Sequence, residues 1–366
     1  MKSLGRFLLL AIVSTAWVSL QAADAWSSAL KKRGIDPGVV DNPIAITPEI
    51  KAAAVALSGR GGGTVDELKR IQSALFDTAR FTFVYESGVT TTAAEALATR
   101  RGNCVSFTNL FIAMARSRGF RVKAGYIQPR TVGERRGDLV YLMTHVVAVY
   151  PLNDRYVVFD FYRERDDPAK HIRLLDDFEL AALYVNNLAV QALGVSDYAL
   201  AEARLRAVLK LAPEFAAAYG NLGVCLRRRG DLPGAIEAYR RALALAPRDP
   251  AILGNLATLY TGLGREREAR AALELADLRL ATPYTILARG DLEAADGRIE
   301  AALSYYRKAA RTDPTIADPH LSIARLTRSA GRLDEARREA ERALKLDPGN
   351  PEAKAILTDL AGADRN

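Results

Sequence analysis

With 366 residues, 49% of them hydrophobic and 26% charged, the chain has the composition of folded globular domains and room for two or three of them, which excludes a disordered polypeptide. Its net charge is +8, but the basic residues lie in Arg-rich helical stretches such as Arg227–Arg229 and Arg337–Arg338 with acids between them, so they read as solvated helix faces. No basic cluster interleaved with aromatics occurs, and no nucleic-acid partner is expected.

The first 25 residues read as a signal peptide. Lys2 and Arg6 precede an apolar run from Phe7 to Leu20, and Ala23-Asp24-Ala25 or Leu20-Gln21-Ala22 offers a small-residue cleavage site. The run is shorter than the roughly 20 residues that span a bilayer, and no later run is long enough. No cysteine stands at the cleavage site to carry a lipid. The expectation is an exported protein, periplasmic in a Gram-negative cell, with no integral membrane segment after cleavage.

Residues 26–63 read as an N-terminal segment and linker, ending in Gly-Arg-Gly-Gly-Gly at Gly59–Gly63. No Gly-Lys-Ser/Thr follows that run, so it is not a phosphate-binding loop. Thr64-Val-Asp-Glu67 then has the pattern of a capping box opening a helix with Leu68, Ile71, Leu75 and Phe76 on one face. Thr92-Ala-Ala-Glu95 repeats the pattern for a short helix leading to Arg101.

From Arg101 to Gly119 apolar residues recur at Val105, Phe107, Leu110, Phe111 and Met114, the spacing of a helix burying one stripe. Cys104 falls in its first turn, where unpaired backbone N–H groups and the positive end of the helix dipole favour a thiolate over a thiol. Gly102 allows a tight entry, and Gly119 is placed to cap the helix before the β-rich run Arg121–Gln128. Two later runs, LVYLMTHVVAVY with His145 and YVVFDFY with Asp160, read as antiparallel strands of one hairpin. With Tyr150 opposite Arg155 across a loop of Pro151–Asp154, His145 would lie directly opposite Asp160, close enough for an imidazole N–H to meet the carboxylate. The intervening stretch Pro129–Asp138 reads as an Arg-rich loop at the rim of a groove.

The stretch GNCVSFTNLFIAMARSRGFRVKAGY, with THVVAV and FDF after it, resembles the transglutaminase-like superfamily. The resemblance implies an α+β, papain-like domain over 64–180 that performs acyl transfer with Cys104 as nucleophile, His145 as base and acid, and Asp160 as the group that orients the imidazole. Val147 stands where relatives often have an aromatic residue, and Phe161 where many have proline. Neither departure alters a residue of the implied triad. His171 reads as a solvated surface residue. No cofactor motif and no metal-ligand spacing occur, so no cofactor or metal is expected.

The two cysteines are expected to stay unpaired, because Cys225 falls at a packing position inside a helix of the second half. That half is periodic. Pro213, Pro247, Pro314 and Pro348, and Gly230, Gly264, Gly297 and Gly331, are spaced by one or two units of 33 to 34 residues, the length of the tetratricopeptide helix hairpin. Ala201, Ala235, Ala269, Ala302 and Ala336 fall at one equivalent site, where close helix approach calls for a small side chain. Residues 182–350 therefore read as five repeats of an all-α solenoid, and 351–366 as a capping helix and tail. In the fourth unit Arg289 occupies an apolar site, and in the fifth His320 replaces a large aromatic in the packing. The concave face of such an array binds a protein or peptide. The whole chain thus reads as an exported cysteine peptidase or amidase, rather than a cross-linking transglutaminase, whose repeats recruit a partner. The alternative is an inactive transglutaminase-like scaffold mediating protein–protein interactions in the envelope.

Overall fold

The computed structural model describes residues 25–59, 64–136, 139–153, 155–161, 172–276 and 283–363. The signal-peptide reading and His171 lie outside them, as does the glycine-rich run beyond Gly59. The chain forms two compact units, one of 25–132 with 143–218 and the other of 219–366 with 133–142.

In the first unit residues 25–32 form helix α1, followed by α2 (Pro48–Ser58), α3 (Val65–Phe76), strand β1 (Val84–Tyr85), α4 (Ala93–Thr99), β2 (Arg101–Gly102) and α5 (Cys104–Ser117). Four strands complete a sheet: β3 (Lys123–Arg136), β4 (Leu139–Leu152), β5 (Arg155–Phe159) and β6 (Ile172–Leu175), in the spatial order β5-β4-β3-β6. The stretch expected to be a rim loop is instead the continuation of β3 to Arg136.

Helix α5 is the centre of the unit. Every residue from Val105 to Ala115 is buried, not the single stripe expected, because the helix has the sheet on one side and α2, α3 and α4 on the other. The ring of Phe111 stacks on Phe159 of β5 at 4.6 Å, and Phe107 stacks on Phe76 of α3 at 5.3 Å. The helix ends as read, with Arg118 as C-cap and Gly119 at φ +88°; the Phe120 N–H bonds the Ala115 carbonyl and the Gly119 N–H that of Arg116, the Schellman arrangement.

The N-terminal segment packs on the unit: Ile50 and Ala54 of α2 are fully buried against its core, and the Trp26 ring stacks on Phe178 at 5.0 Å while its indole N–H bonds the Val40 carbonyl. One reading of the following segment is corrected. The box at Thr64 does not form, since the Thr64 side chain makes no cap hydrogen bond. Glu67 turns inward, 1% exposed, and accepts from Arg118 at 2.7 Å, because the positive group after α5 draws the carboxylate away from the helix end. The box at Thr92 and Glu95 forms as read.

Helix α6 (Asp177–Gly194) starts before the expected repeat boundary and pairs with α7 (Tyr198–Leu211) as the first hairpin. Arg116 of α5 holds Asp177 in a bidentate ion pair at 2.7 and 2.9 Å, which ties the start of the first hairpin to α5 within the same unit. Four further hairpins follow: α8 (Ala216–Arg228) with α9 (Leu232–Leu245), α10 (Pro250–Gly262) with α11 (Glu266–Leu275), α12 (Pro283–Ala295) with α13 (Ile299–Thr312), and α14 (Asp318–Ser329) with α15 (Leu333–Leu346). Helix α16 (Pro351–Ala363) covers the last apolar face, burying Ile356 and Leu360 against Ala336 and Ala340 of α15. All five equivalent alanines are fully buried. The turn glycines Gly230, Gly264, Gly297 and Gly331 take φ between +68° and +84°, and Ser196 occupies the corresponding turn of the first hairpin at φ +61°. No described helix is long and apolar enough to cross a membrane.

Candidate active site

Cys104 is the first residue of α5, and its setting is fixed from both sides. Asn103, 2% exposed, caps the helix by accepting from the Val105 and Ser106 N–H groups at 3.0 and 3.2 Å. Its own amide donates to Thr90 Oγ1 at 2.7 Å, and its backbone N–H bonds the Val89 carbonyl. Gly102 before it has φ +157°, and a Cβ there would lie 2.3 Å from Ser106 Cβ, so only glycine admits this entry. Among the described residues neither Cys104 nor Cys225 is in a disulfide; Cys104 is half-buried and Cys225 buried.

His145 lies on β4 and Asp160 one residue beyond β5. The two strands pair antiparallel with Leu152 opposite Arg155 and Ala148 opposite Phe159, so the connection is the two residues 153–154, with Asn153 at φ +53°. The expected register, with Tyr150 opposite Arg155, is therefore displaced by two residues. Extended by one position, the pairing sets Asp160 opposite Val147 rather than His145. A shift of two keeps both side chains on one face. They meet on the diagonal, with His145 Nε2 2.7 Å from Asp160 Oδ2.

Two contacts hold these strands to the helices. Thr108, one turn after Cys104, donates to the Val146 carbonyl at 3.1 Å and thereby ties α5 to the residue next to His145. Gln72 of α3 donates to the Asp160 carbonyl at 2.9 Å. Phe161 packs edge-on against Phe76, Phe83 and Phe107 and lies 4.8 Å from the Tyr85 ring, so the position where relatives often carry proline is here anchored by an aromatic cluster. Sequence reasoning missed Asn103, Gln72 and Thr108. The first was readable as an Asn immediately before an apolar helical period. The other two act through backbone carbonyls distant in sequence, and no local pattern marks them.

The electrostatics of His145 follow from this geometry. Burial, at 14% side-chain exposure, disfavours the imidazolium, but hydrogen bonds and charge from Asp160 and Cys104 outweigh it and raise the pKa from 6.5 to about 10. Cys104 is thus within hydrogen-bonding reach of the imidazole whose other side is held by Asp160. His320 makes a separate pair in the repeats, its Nδ1 2.6 Å from Glu339 Oε2. Burial disfavours the Glu339 carboxylate, yet His320 and Arg342 hold its pKa below the ordinary glutamate value. Among the described residues no group of three or more His, Cys, Asp or Glu side chains could hold a metal ion.

The chain matches the transglutaminase-like superfamily over residues 51–161, and tetratricopeptide-repeat families over 186–250, 226–284 and 293–360. No curated protein matches it. Among solved structures it is similar to pilF of Pseudomonas aeruginosa over 52% of this chain and 87% of that one, at 21% identity and TM-score 0.44. PilW, a type IV pilus biogenesis factor, is 22% identical over 50% and 86% of the two chains at TM-score 0.44. A tetratricopeptide protein of Thermus thermophilus is 22% identical over 49% and 98% at TM-score 0.45. The family matches fall on the α+β unit around α5 and on the helix hairpins that follow, so the chain carries a transglutaminase-like domain over 51–161 followed by tetratricopeptide repeats over 186–360.

Proposed function

We propose that the chain is an exported cysteine hydrolase of the peptidase or amidase type, with Cys104 as nucleophile, His145 as proton shuttle and Asp160 as the orienting carboxylate. The observation that carries the reading is the 2.7 Å contact between His145 Nε2 and Asp160 Oδ2, made on a ring that also hydrogen-bonds Cys104 at the start of a buried helix. With Nε2 engaged by Asp160, Nδ1 is the nitrogen left for the thiol. A histidine whose pKa lies at about 10 is an imidazolium at neutral pH, a proton donor already in place beside the sulfur.

In the reaction the Cys104 sulfur attacks the amide carbonyl carbon, and the electrons of the C=O bond move to oxygen. The Cys104 backbone N–H, in the first turn of α5, would stabilise that oxyanion. Collapse of the intermediate breaks the C–N bond as His145 gives its proton to the departing amine. Water, deprotonated by His145, then cleaves the thioester and restores the thiolate. Asp160 holds the ring in one orientation throughout and, once the proton has gone to the amine, in one tautomer. The repeats, which as a family commonly bind protein partners, would bring the substrate protein to the thiol.

The test is complementation in the source cell by the full chain carrying Cys104→Ala or His145→Ala, set against a chain lacking residues 219–366. Catalysis predicts that both alanine variants fail to complement while accumulating to the wild-type level. Full complementation by either one contradicts it and returns the chain to an interaction scaffold.

A further inference from the structure

Residues 86–92, between β1 and α4, form the loop against which α5 begins. Asn103, immediately before Cys104, gives its backbone N–H to the Val89 carbonyl at 2.8 Å and its side-chain amide to Thr90 Oγ1 at 2.7 Å. Further along the helix, Ser106 Oγ accepts from the Thr91 N–H at 2.8 Å, and Asn109 Nδ2 donates to the Thr91 carbonyl at 3.0 Å. The position of the loop therefore sets the position of the cap, and the cap sets the first turn of α5, which carries Cys104.

From the other side the loop is held by a helix of the first hairpin. Gln191, on α6, donates through Nε2 to the Gly88 carbonyl at 2.8 Å, across 103 positions of sequence. The transglutaminase-like match ends at 161 and the repeat match begins at 186, so a repeat residue reaches the loop on which the Cys104 helix starts. Asp177, on the same helix, pairs with Arg116 near the other end of α5. Asp177 to Gln191 rises about 21 Å along α6 and Asn103 to Arg116 about 20 Å along α5, at about 1.5 Å per residue, so α6 spans the length of α5 and is tied to both of its ends.

The loop depends on this outside bond. Among the described residues, buried side-chain polar atoms without a hydrogen-bond partner include Glu86 Oε2 and Thr91 Oγ1 in the loop and Asn109 Oδ1 against it. Each such atom has given up water without recovering a bond, so the seated loop is held by less than its hydrogen bonds alone imply. A single contact from α6 then decides how firmly it is seated.

We propose that Gln191 is a positioning residue for the Cys104 nucleophile: by holding the Gly88 carbonyl it keeps loop 86–92 against Asn103, and so keeps the first turn of α5 formed around the thiol. The inference rests on the reading of Cys104 as nucleophile, and adds that the site is complete only with the first repeat helix in place.

The test follows alkylation of Cys104 by iodoacetamide as a function of pH in the full-length protein, with urea unfolding of the same samples. Gln191→Ala, and Gln191→Glu, which keeps the length but offers the carbonyl no donor, should slow alkylation at pH 6 by about three- to tenfold, the range to which one neutral hydrogen bond corresponds, and displace the profile to higher pH. Gln191→Lys restores a donor and should return the rate to within about twofold of the wild type. Asp177→Asn, which weakens the tie at the far end of α5, should lower the urea midpoint and leave the alkylation profile unchanged. Profiles of Gln191→Ala and Gln191→Glu that superpose on the wild type, or that move no further than that of Asp177→Asn, overturn the proposal. A lysine variant as slow as the alanine one overturns it too, since the donated hydrogen bond is then not what acts. A wild-type rate that itself climbs through about pH 8.5 removes the nucleophile and with it the role given to Gln191, whereas a wild-type plateau at low pH shared by the Gln191 variants removes only the latter.

Discussion

Replacing Asp160 by Asn keeps the size of the side chain and a hydrogen-bonding oxygen but removes the charge beside His145. The wild-type imidazole has its pKa raised from 6.5 to about 10 against the opposing effect of burial, by Asp160 and Cys104 together. At about 1.4 kcal/mol per pKa unit, that difference corresponds to roughly 5 kcal/mol of net preference for the imidazolium. Asp160 acts both through its hydrogen bond at 2.7 Å and through its charge, and burial continues to oppose protonation once it is gone. The variant should therefore lower the His145 pKa by well over one unit. The assay is an NMR titration of the imidazole Cε1–H signals, which the sequence makes tractable because it contains 3 histidines. His145→Gln assigns the resonance. A wild-type midpoint near 6.5, or a midpoint in the variant within a few tenths of the wild-type value, would refute the electrostatic account of the site.

The same shift makes a statement about stability. A histidine raised in the folded state contributes stability fully below its unfolded pKa of about 6.5, and the contribution is lost as pH rises through about 10. The advantage of the wild type over His145→Gln in thermal unfolding should thus shrink between pH 6.5 and 10, by at most about 5 kcal/mol; an advantage that grows over that interval contradicts it. Gly102→Ala forces a Cβ to 2.3 Å from Ser106 at φ +157° and should destabilise the first unit by about 2–3 kcal/mol, read as an earlier urea transition. Ser196→Gly goes the other way. It relieves a left-handed serine at a turn where the other hairpins carry glycine, and it should raise stability by about 1 kcal/mol in the same assay.

Much of this architecture is legible in the sequence, and the exceptions share a cause. The repeats declare themselves because each hairpin needs the same small residue at its closest helix approach, and Ala201, Ala235, Ala269, Ala302 and Ala336 all meet that need at zero exposure. The helix start at Cys104 is equally visible, since capping and apolar periodicity are local. The hairpin register is not local. Tyr150 opposite Arg155 and Tyr150 opposite Val157 put the same side chains on the same face, so alternation cannot choose between them, and only the two-residue turn does. Glu67 shows the same limit from another direction. Its spacing from Thr64 fits a capping box, but Arg118, 51 positions away, offers a buried ionic partner that outcompetes a surface cap. The segment before Gly59 carries little signal in the sequence because its individual elements are short, although Ile50 and Ala54 are buried by α5 and its neighbours.

The central claim is that one sulfur, one imidazole and one carboxylate form a working nucleophile, and the rate of Cys104 alkylation by iodoacetamide as a function of pH tests it most directly. Cys225 is buried and should stay unlabelled, which peptide mass mapping verifies. The account predicts a rate already at its plateau near pH 6 in the wild type and displaced upward in pH in His145→Ala. A wild-type rate that climbs through about pH 8.5, as an ordinary thiol does, and an unchanged profile in the variant would contradict it.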